Sequence, residues 1–440
     1  MLLIERMAVY LSRSVLRVVL FLLLMFNAAA CQRVVEDSPS QPRNISFLHY
    51  FSFSGALAAS LESIAVDFNR QHPGFLLSMT PLDHESFKSS IQDDLRLNNT
   101  ADVYANWAGQ RVQSIANKLR PIDDLLPAAE MDALLFPQWI RSASIYDGRT
   151  YLLPLTQHYV GFFYNKSIFA RYGLTPPKTW EEFLSLGERL KAKGVVPLAL
   201  GSKSRWPAQF WFDYLLLRTA PLAYRQRLLS GQAAFNDPEV QRVFSLWREL
   251  IKRGFFNAHP NELEFDRGAA RMVRNGEAAM TLMGTWLIDY YNSPGALWIE
   301  GSDYGFFPFP RIDRQIPRVA LGPIDGLVIP LSAKNADGAK AVLRYFARPE
   351  VLIRISKASG GMAPGRAIPE SHYSPLKKAV HAEIAGASGW AFNYDLAAPP
   401  DRAEIGLDLF AEFIEFPDQY RMLLDKAESR LSTSIKQEAH

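Results

Sequence analysis

A single cysteine, Cys31, in 440 residues leaves the chain no means of forming an internal disulfide. Histidine is sparse too: eight residues, widely spread, with no HExxH or inverted equivalent, so the usual zinc-hydrolase arrangement is missing. His381-Ala382-Glu383 has the H-x-E spacing of a zinc deaminase, but no second cysteine completes a metal site. There is no G-x-S-x-G nucleophile elbow and no G-x-x-x-x-G-K-[ST] phosphate loop. Ser374-Pro375-Leu376-Lys377 fits S-x-x-K, yet the nearest strings to its required companions S-D-N and K-T-G are Ser302-Asp303-Tyr304 and Lys178-Thr179-Trp180. An enzyme and a bound cofactor or metal are therefore not expected. A glycosidase could still be built from two of the many carboxylates, because it needs only their separation in space.

The chain also lacks a Lys/Arg-rich run, so nucleic-acid binding and a polybasic membrane patch have no electrostatic footprint. Its formal charge is +3, and without residues 1–30, which hold three arginines and one glutamate, it falls to +1. Those residues differ from the rest. Arg6, Arg13 and Arg17 precede the uncharged run Val18–Phe26 and then Ala28-Ala29-Ala30-Cys31, the pattern of a signal peptide. Nine apolar residues fall well short of the roughly twenty that span a bilayer. Cys31 stands where bacterial lipoproteins carry their acylated cysteine, although Ala28 replaces the usual Leu; plain cleavage after Ala30 would instead leave a free thiol. An exported protein is expected, in the periplasm or on the outer face of the cell membrane, held to membrane lipid through acylated Cys31.

What is present is a globular balance: 48% hydrophobic and 21% charged residues, enough chain for two to three domains. Residues 31–43, the anchor cysteine and a polar, flexible tether with Pro39 and Pro42, precede alternating strands and helices. Ile45–Tyr50 reads as a strand; Leu61, Ile64, Ala65 and Phe68 share a helix face ending at His72-Pro73-Gly74; Phe75–Leu82 is a second strand. Phe87, Ile91 and Leu95 mark another helix and Asp102–Trp107 another strand. This order predicts an α/β fold with helices on a largely parallel sheet. Thr179 to Glu182 is a capping box. Pro238 starts a helix whose apolar stripe includes Trp247, a spacing that marks Trp247 as core. Beyond Asn393 the chain reads mainly as helix.

Binding a sugar takes flat aromatic faces together with hydroxyl donors and acceptors in a closable cleft. Such groups recur: Arg205 to Tyr214 is dense in aromatics, Trp107 follows Asn106 at a strand end, and Trp286 follows Gly284-Thr285 after a strand from Ala278 to Met283. Ends of parallel strands are where α/β sheets bind ligands.

From about residue 45 to 370 the chain resembles the family-1 extracellular solute-binding proteins, the sugar-binding components of carbohydrate ABC importers. The strings that carry the resemblance run in order: Leu119-Arg120-Pro121-Ile122-Asp123-Asp124-Leu125, Asp147-Gly148-Arg149-Thr150-Tyr151-Leu152-Leu153-Pro154, Gly161-Phe162-Phe163-Tyr164-Asn165-Lys166, Pro176-Pro177-Lys178-Thr179-Trp180-Glu181-Glu182-Phe183, Asn275-Gly276-Glu277-Ala278-Ala279-Met280, Gly284-Thr285-Trp286 and Asp325-Gly326. The resemblance implies a two-lobed periplasmic-binding-protein fold with crossing hinge strands and a helical C-terminal part. Residues 44–157 with 309–365 would form the N-terminal lobe, and 158–308 with 366–440 the C-terminal lobe. By position it places Asn106, Trp107, Gln157, His158, Trp206, Trp286 and Asp325 at the cleft, joined by Phe53 and Ser54. Trp286 would stack on a sugar, Asp325 accept from a hydroxyl, and Arg366 occupy the Pro-x-Arg element after the last crossover. Implied partners are a small-molecule sugar and the ABC permease subunits, the protein acting as a monomer. Other ligands such as a polyol or sugar phosphate, a sensing role, and an exported carbohydrate-active enzyme are the alternatives.

Overall fold

The computed structural model describes residues 41–51, 55–293, 298–366 and 368–438. Cys31, Phe53 and Ser54 lie outside them. The strands are β1 (Arg43–His49), β2 (Phe75–Pro81), β3 (Val103–Trp107), β4 (Leu153–Gln157), β5 (Val160–Asn165), β6 (Val196–Leu198), β7 (Ala278–Gly284), β8 (Tyr304–Phe307), β9 (Val319–Leu321), β10 (Ile324–Val328) and β11 (Gly389–Ala391), of which β1, β2, β3 and β7 fall on stretches read as strands from the sequence. One sheet runs in the order β2-β1-β3-β10-β4, a second in the order β8-β5-β7-β6, and β9 pairs with β11.

The sheets are mixed rather than largely parallel. β1 with β3 and β6 with β7 are parallel. The strands that follow a crossing from one sheet to the other are the exceptions: β5 runs antiparallel to β7 and β8, and β10 antiparallel to β3 and β4. A chain that enters a sheet from the far lobe arrives from the opposite end, and local strand-helix alternation carries no sign of this.

Each sheet has its own core. Ile45, Phe47, Val103, Leu155 and Leu327 pack in the first; Phe162, Leu282, Trp211, Phe212 and Trp247 in the second. Trp247, on the helix Pro238–Lys252, is fully buried, as its spacing predicts. Two C-terminal helices, Pro400–Glu415 and Tyr420–Glu438, follow Asn393; Phe410 of the first stacks on Phe212, and Phe413 meets Phe244 edge-on. The capping box is formed: Thr179 accepts from Glu182 N while the Glu182 side chain returns to the Thr179 backbone. The enzyme-like strings are absorbed into helices. Ser374 caps the helix Pro375–Ala385, and His381 pairs with Glu370 at 2.9 Å. Among the described residues no group of His, Cys, Asp and Glu could hold a metal ion, and no helix is long and apolar enough to cross a membrane.

The connections between the sheets grip one another. β4 passes into β5 through His158 and Tyr159, and β9 into β10 through Gly322 and Pro323. His158 N donates to Pro323 O at 3.0 Å, and Gln157 and Met362 exchange two backbone bonds of 2.8 Å. A Cβ on Gly322 would stand 1.8 Å from the backbone oxygen of His158, with no side chain to move aside. Gly322→Ala is expected to cost about 2 kcal/mol through this overpacking, read as a lower denaturation midpoint; an unchanged midpoint would mean the crossing is loose.

Candidate functional site

The residue pairing in the first sheet brings the polar end of β10 beside the ends of β3 and β4, since Asp325 lies opposite Trp107 on one side and Thr156 on the other. Its carboxylate is buried and well supplied: Tyr50 Oη donates to Oδ1 at 2.6 Å, Thr156 Oγ1 to Oδ2 at 2.9 Å, and His158 Nε2 lies 3.3 Å from Oδ2. A carboxylate offers about four acceptor positions, so Oδ1 keeps room for one more donor. Burial raises the Asp325 carboxyl to about 6, against the pull of its bonds from Tyr50 and Thr156. Burial also lowers His158 to about 3, with Lys377 adding to the effect, so the ring is neutral at pH 7. A neutral imidazole that donates from Nε2 must accept at Nδ1, and Thr285 Oγ1 stands there at 2.9 Å.

Thr285 ties this polar chain to the aromatic surfaces. Trp286 folds back over Gly284, where a Cβ would come within 1.9 Å of the indole, so the Gly-Thr-Trp order sets the ring's position. That ring meets His158 edge-on at 5.6 Å and Trp206 at 6.0 Å. Trp206 in turn is held by Phe210 and Phe265, and it follows Arg205, which has a φ of +62° and pairs with Glu404 at 2.7 Å and Asp408 at 2.6 Å. From the first sheet, Trp107 stacks on Tyr50 at 3.6 Å, and His84 reaches Trp206 edge-on at 6.3 Å. Aromatics from both lobes therefore surround one polar chain.

Of the residues singled out from sequence, Trp107, His158, Trp206, Trp286 and Asp325 are brought together. Asn106 is buried behind them, its Oδ1 accepting from Trp107 N at 2.9 Å, and it lines a small cavity with Phe87, Gln92 and Arg111. Gln157 is buried beside the crossing, and among the described residues its Nε2 finds no acceptor. Arg366 is not brought in: it is exposed, with its guanidinium 4.0 Å over the Phe136 ring. Much of the aromatic run after Trp206 is elsewhere as well, since Phe210, Trp211, Phe212 and Tyr214 are core. Sequence reasoning missed Tyr50, His84, Thr156 and the pair Arg111–Asp395, whose charged atoms approach to 3.8 Å across the lobes. Tyr50 follows a strand just as Trp107 ends one, and the same strand-end argument would have found it.

The model of the bacterial extracellular solute-binding protein family matches residues 54–352. The chain is 26% identical to an uncharacterized ABC transporter extracellular-binding protein of Pyrococcus horikoshii over 79% of its length and 78% of the relative's. It is 22% identical to the multiple sugar-binding protein of Streptococcus mutans, over 79% and 82%. Among solved structures it superposes on the bacterial solute receptor AcbH, which has an exclusive preference for β-D-galactopyranose, with a TM-score of 0.81 and 28% identity over 89% of this chain and 98% of that one. Family match, two-lobed fold and cleft together make the chain a member of the family-1 extracellular solute-binding proteins, which are not enzymes but the exported components that capture a small solute for an ABC importer.

Proposed function

We propose that this protein captures an uncharged sugar or short oligosaccharide by closing its lobes on it, and presents the closed form to the permease subunits. The observation that carries this reading is the ring of Trp107, Trp206, Trp286 and His84 around the Asp325–His158–Thr285 chain. Pyranose C–H faces suit such indoles, and the open position on Asp325 suits a hydroxyl. An anionic ligand such as a sugar phosphate would need a free cation. Arg205 is taken up by Glu404 and Asp408, Arg111 faces Asp395, Lys377 beside His158 donates to Ser356 O and Oγ, and Arg366 stands apart. The likeness to a galactopyranose receptor supports the same class. In this reading residues 44–157 with 309–365 move against 158–308 with 366–440, the protein works as a monomer, and acylated Cys31 keeps it in the periplasm or on the outer face of the cell membrane.

Calorimetric titration of a soluble form beginning at Gln32 against mono-, di- and trisaccharides tests it. Tight one-to-one binding of a sugar recovered intact is expected, with Trp286→Ala losing about 2 kcal/mol, roughly thirtyfold in affinity. Silence across the panel would move the reading to another solute, and recovery of a cleaved sugar would overturn it.

A further inference from the structure

Among the described residues the 16-residue helix Ala56–Gln71 has no cap of its own: Gly55 offers no side-chain bond and the first turn holds no acidic residue. The first amides of a helix are unpaired within it and carry partial positive charge, so a carboxylate there is stabilising. The carboxylate that meets them belongs to the other lobe. Asp289 Oδ1 accepts from Ala56 N at 3.2 Å and from Leu57 N at 3.4 Å. Leu57, Leu61, Ile64 and Phe68 root the capped helix in the first core, whereas Leu287, Ile288 and Tyr291 root the short helix bearing Asp289 in the second.

We propose that Asp289 is the latch of the closed form, a positioning residue that caps the helix Ala56–Gln71 across the cleft and holds Trp286 in place for the solute. The link to the site is direct. Asp289 N donates to Trp286 O at 3.2 Å, so latch and stacking ring share one helical turn. Any solute that packs against Trp286 steadies the turn that carries the carboxylate, and the cap in turn adds to the stability of the closed population. When the lobes part, the cap is lost and the amides return to water.

The latch's purpose rests on the capture reading, but the latch itself is tested without any sugar. Amide exchange and small-angle scattering are measured on the unliganded protein, on Asp289→Ala and on Asp289→Asn, which keeps the shape and one acceptor oxygen without the charge. In Asp289→Ala the Ala56 and Leu57 amides are expected to exchange roughly tenfold faster, and the radius of gyration to rise. Asp289→Asn should fall between parent and Asp289→Ala on both readouts. A radius of gyration unchanged in both variants overturns the latch, whatever the exchange rates. A sugar panel that fails on the parent would defeat the capture reading and leave the latch result standing.

Discussion

Arg225→Ala is expected to lower stability by about 3–5 kcal/mol, the cost of leaving one partner of a buried ion pair alone. Arg225 Nη2 and Nε reach Asp213 Oδ1 at 2.5 and 3.1 Å, and Nη2 also donates to Phe392 O at 2.7 Å. The other Asp213 oxygen accepts from Tyr394 N at 2.8 Å. Asp213 is 0% exposed and Arg225 2%, so water cannot replace what the substitution removes. By contrast, the exposed pairs of Arg248 and Lys252 with Asp418 are screened by water and salt and contribute little. The loss would reach the cleft, because the same pair holds Tyr394 beside Asp395, the residue that faces Arg111 across the lobes. Chemical denaturation followed by tryptophan fluorescence checks this; a change below about 1 kcal/mol would show that the pair is solvated in practice.

Local chemistry was legible in the sequence wherever the physics is local. The capping box at Thr179 and the proline at the first turn of the Trp247 helix settle their backbone within a few residues, so pattern and outcome coincide. Asp325 and Trp286 stood out because the short strings Asp325-Gly326 and Gly284-Thr285-Trp286 carry the family resemblance. The partners that give these residues their properties did not. Tyr50 lies 275 positions from Asp325, and Asp289 lies 233 from Ala56, so nothing near either residue in sequence announces the bond. The direction of the crossing strands was lost for the same reason: it is decided by which lobe the chain has just left. The aromatic run from Phe210 to Tyr214, dense as it is, stays out of the cleft, since on the helix Gln209–Thr219 it is buried on every side.

Acidification through pH 6 is expected to weaken sugar binding while the contribution of the central pair to stability stays nearly level. Asp325, raised from 3.8 to about 6, holds a proton in the folded state that the unfolded chain has released. Its contribution therefore falls as pH rises from 3.8 to 6, and the burial penalty is fully in place above that. His158, lowered from 6.5 to about 3, has the opposite sign: its contribution is complete above 6.5 and is lost as pH falls toward 3. Each slope is on the order of 1 kcal/mol per pH unit, and between about 4 and 6 they oppose one another. Breaking the pair separates them. Asp325→Asn should leave a protein that loses stability steadily as pH drops below 6.5, and His158→Gln one that loses it as pH climbs from 3.8 to 6. Binding follows Asp325 alone, because only the carboxylate is a strong hydroxyl acceptor. At pH 7.5 Asp325→Asn should lose about 2–3 kcal/mol of binding, roughly a hundredfold in affinity, and the parent should lose affinity between pH 7.5 and 5 while the variant does not. If the parent's calorimetric affinity is flat over that range, Asp325 orders Tyr50 and His158 but does not touch the solute.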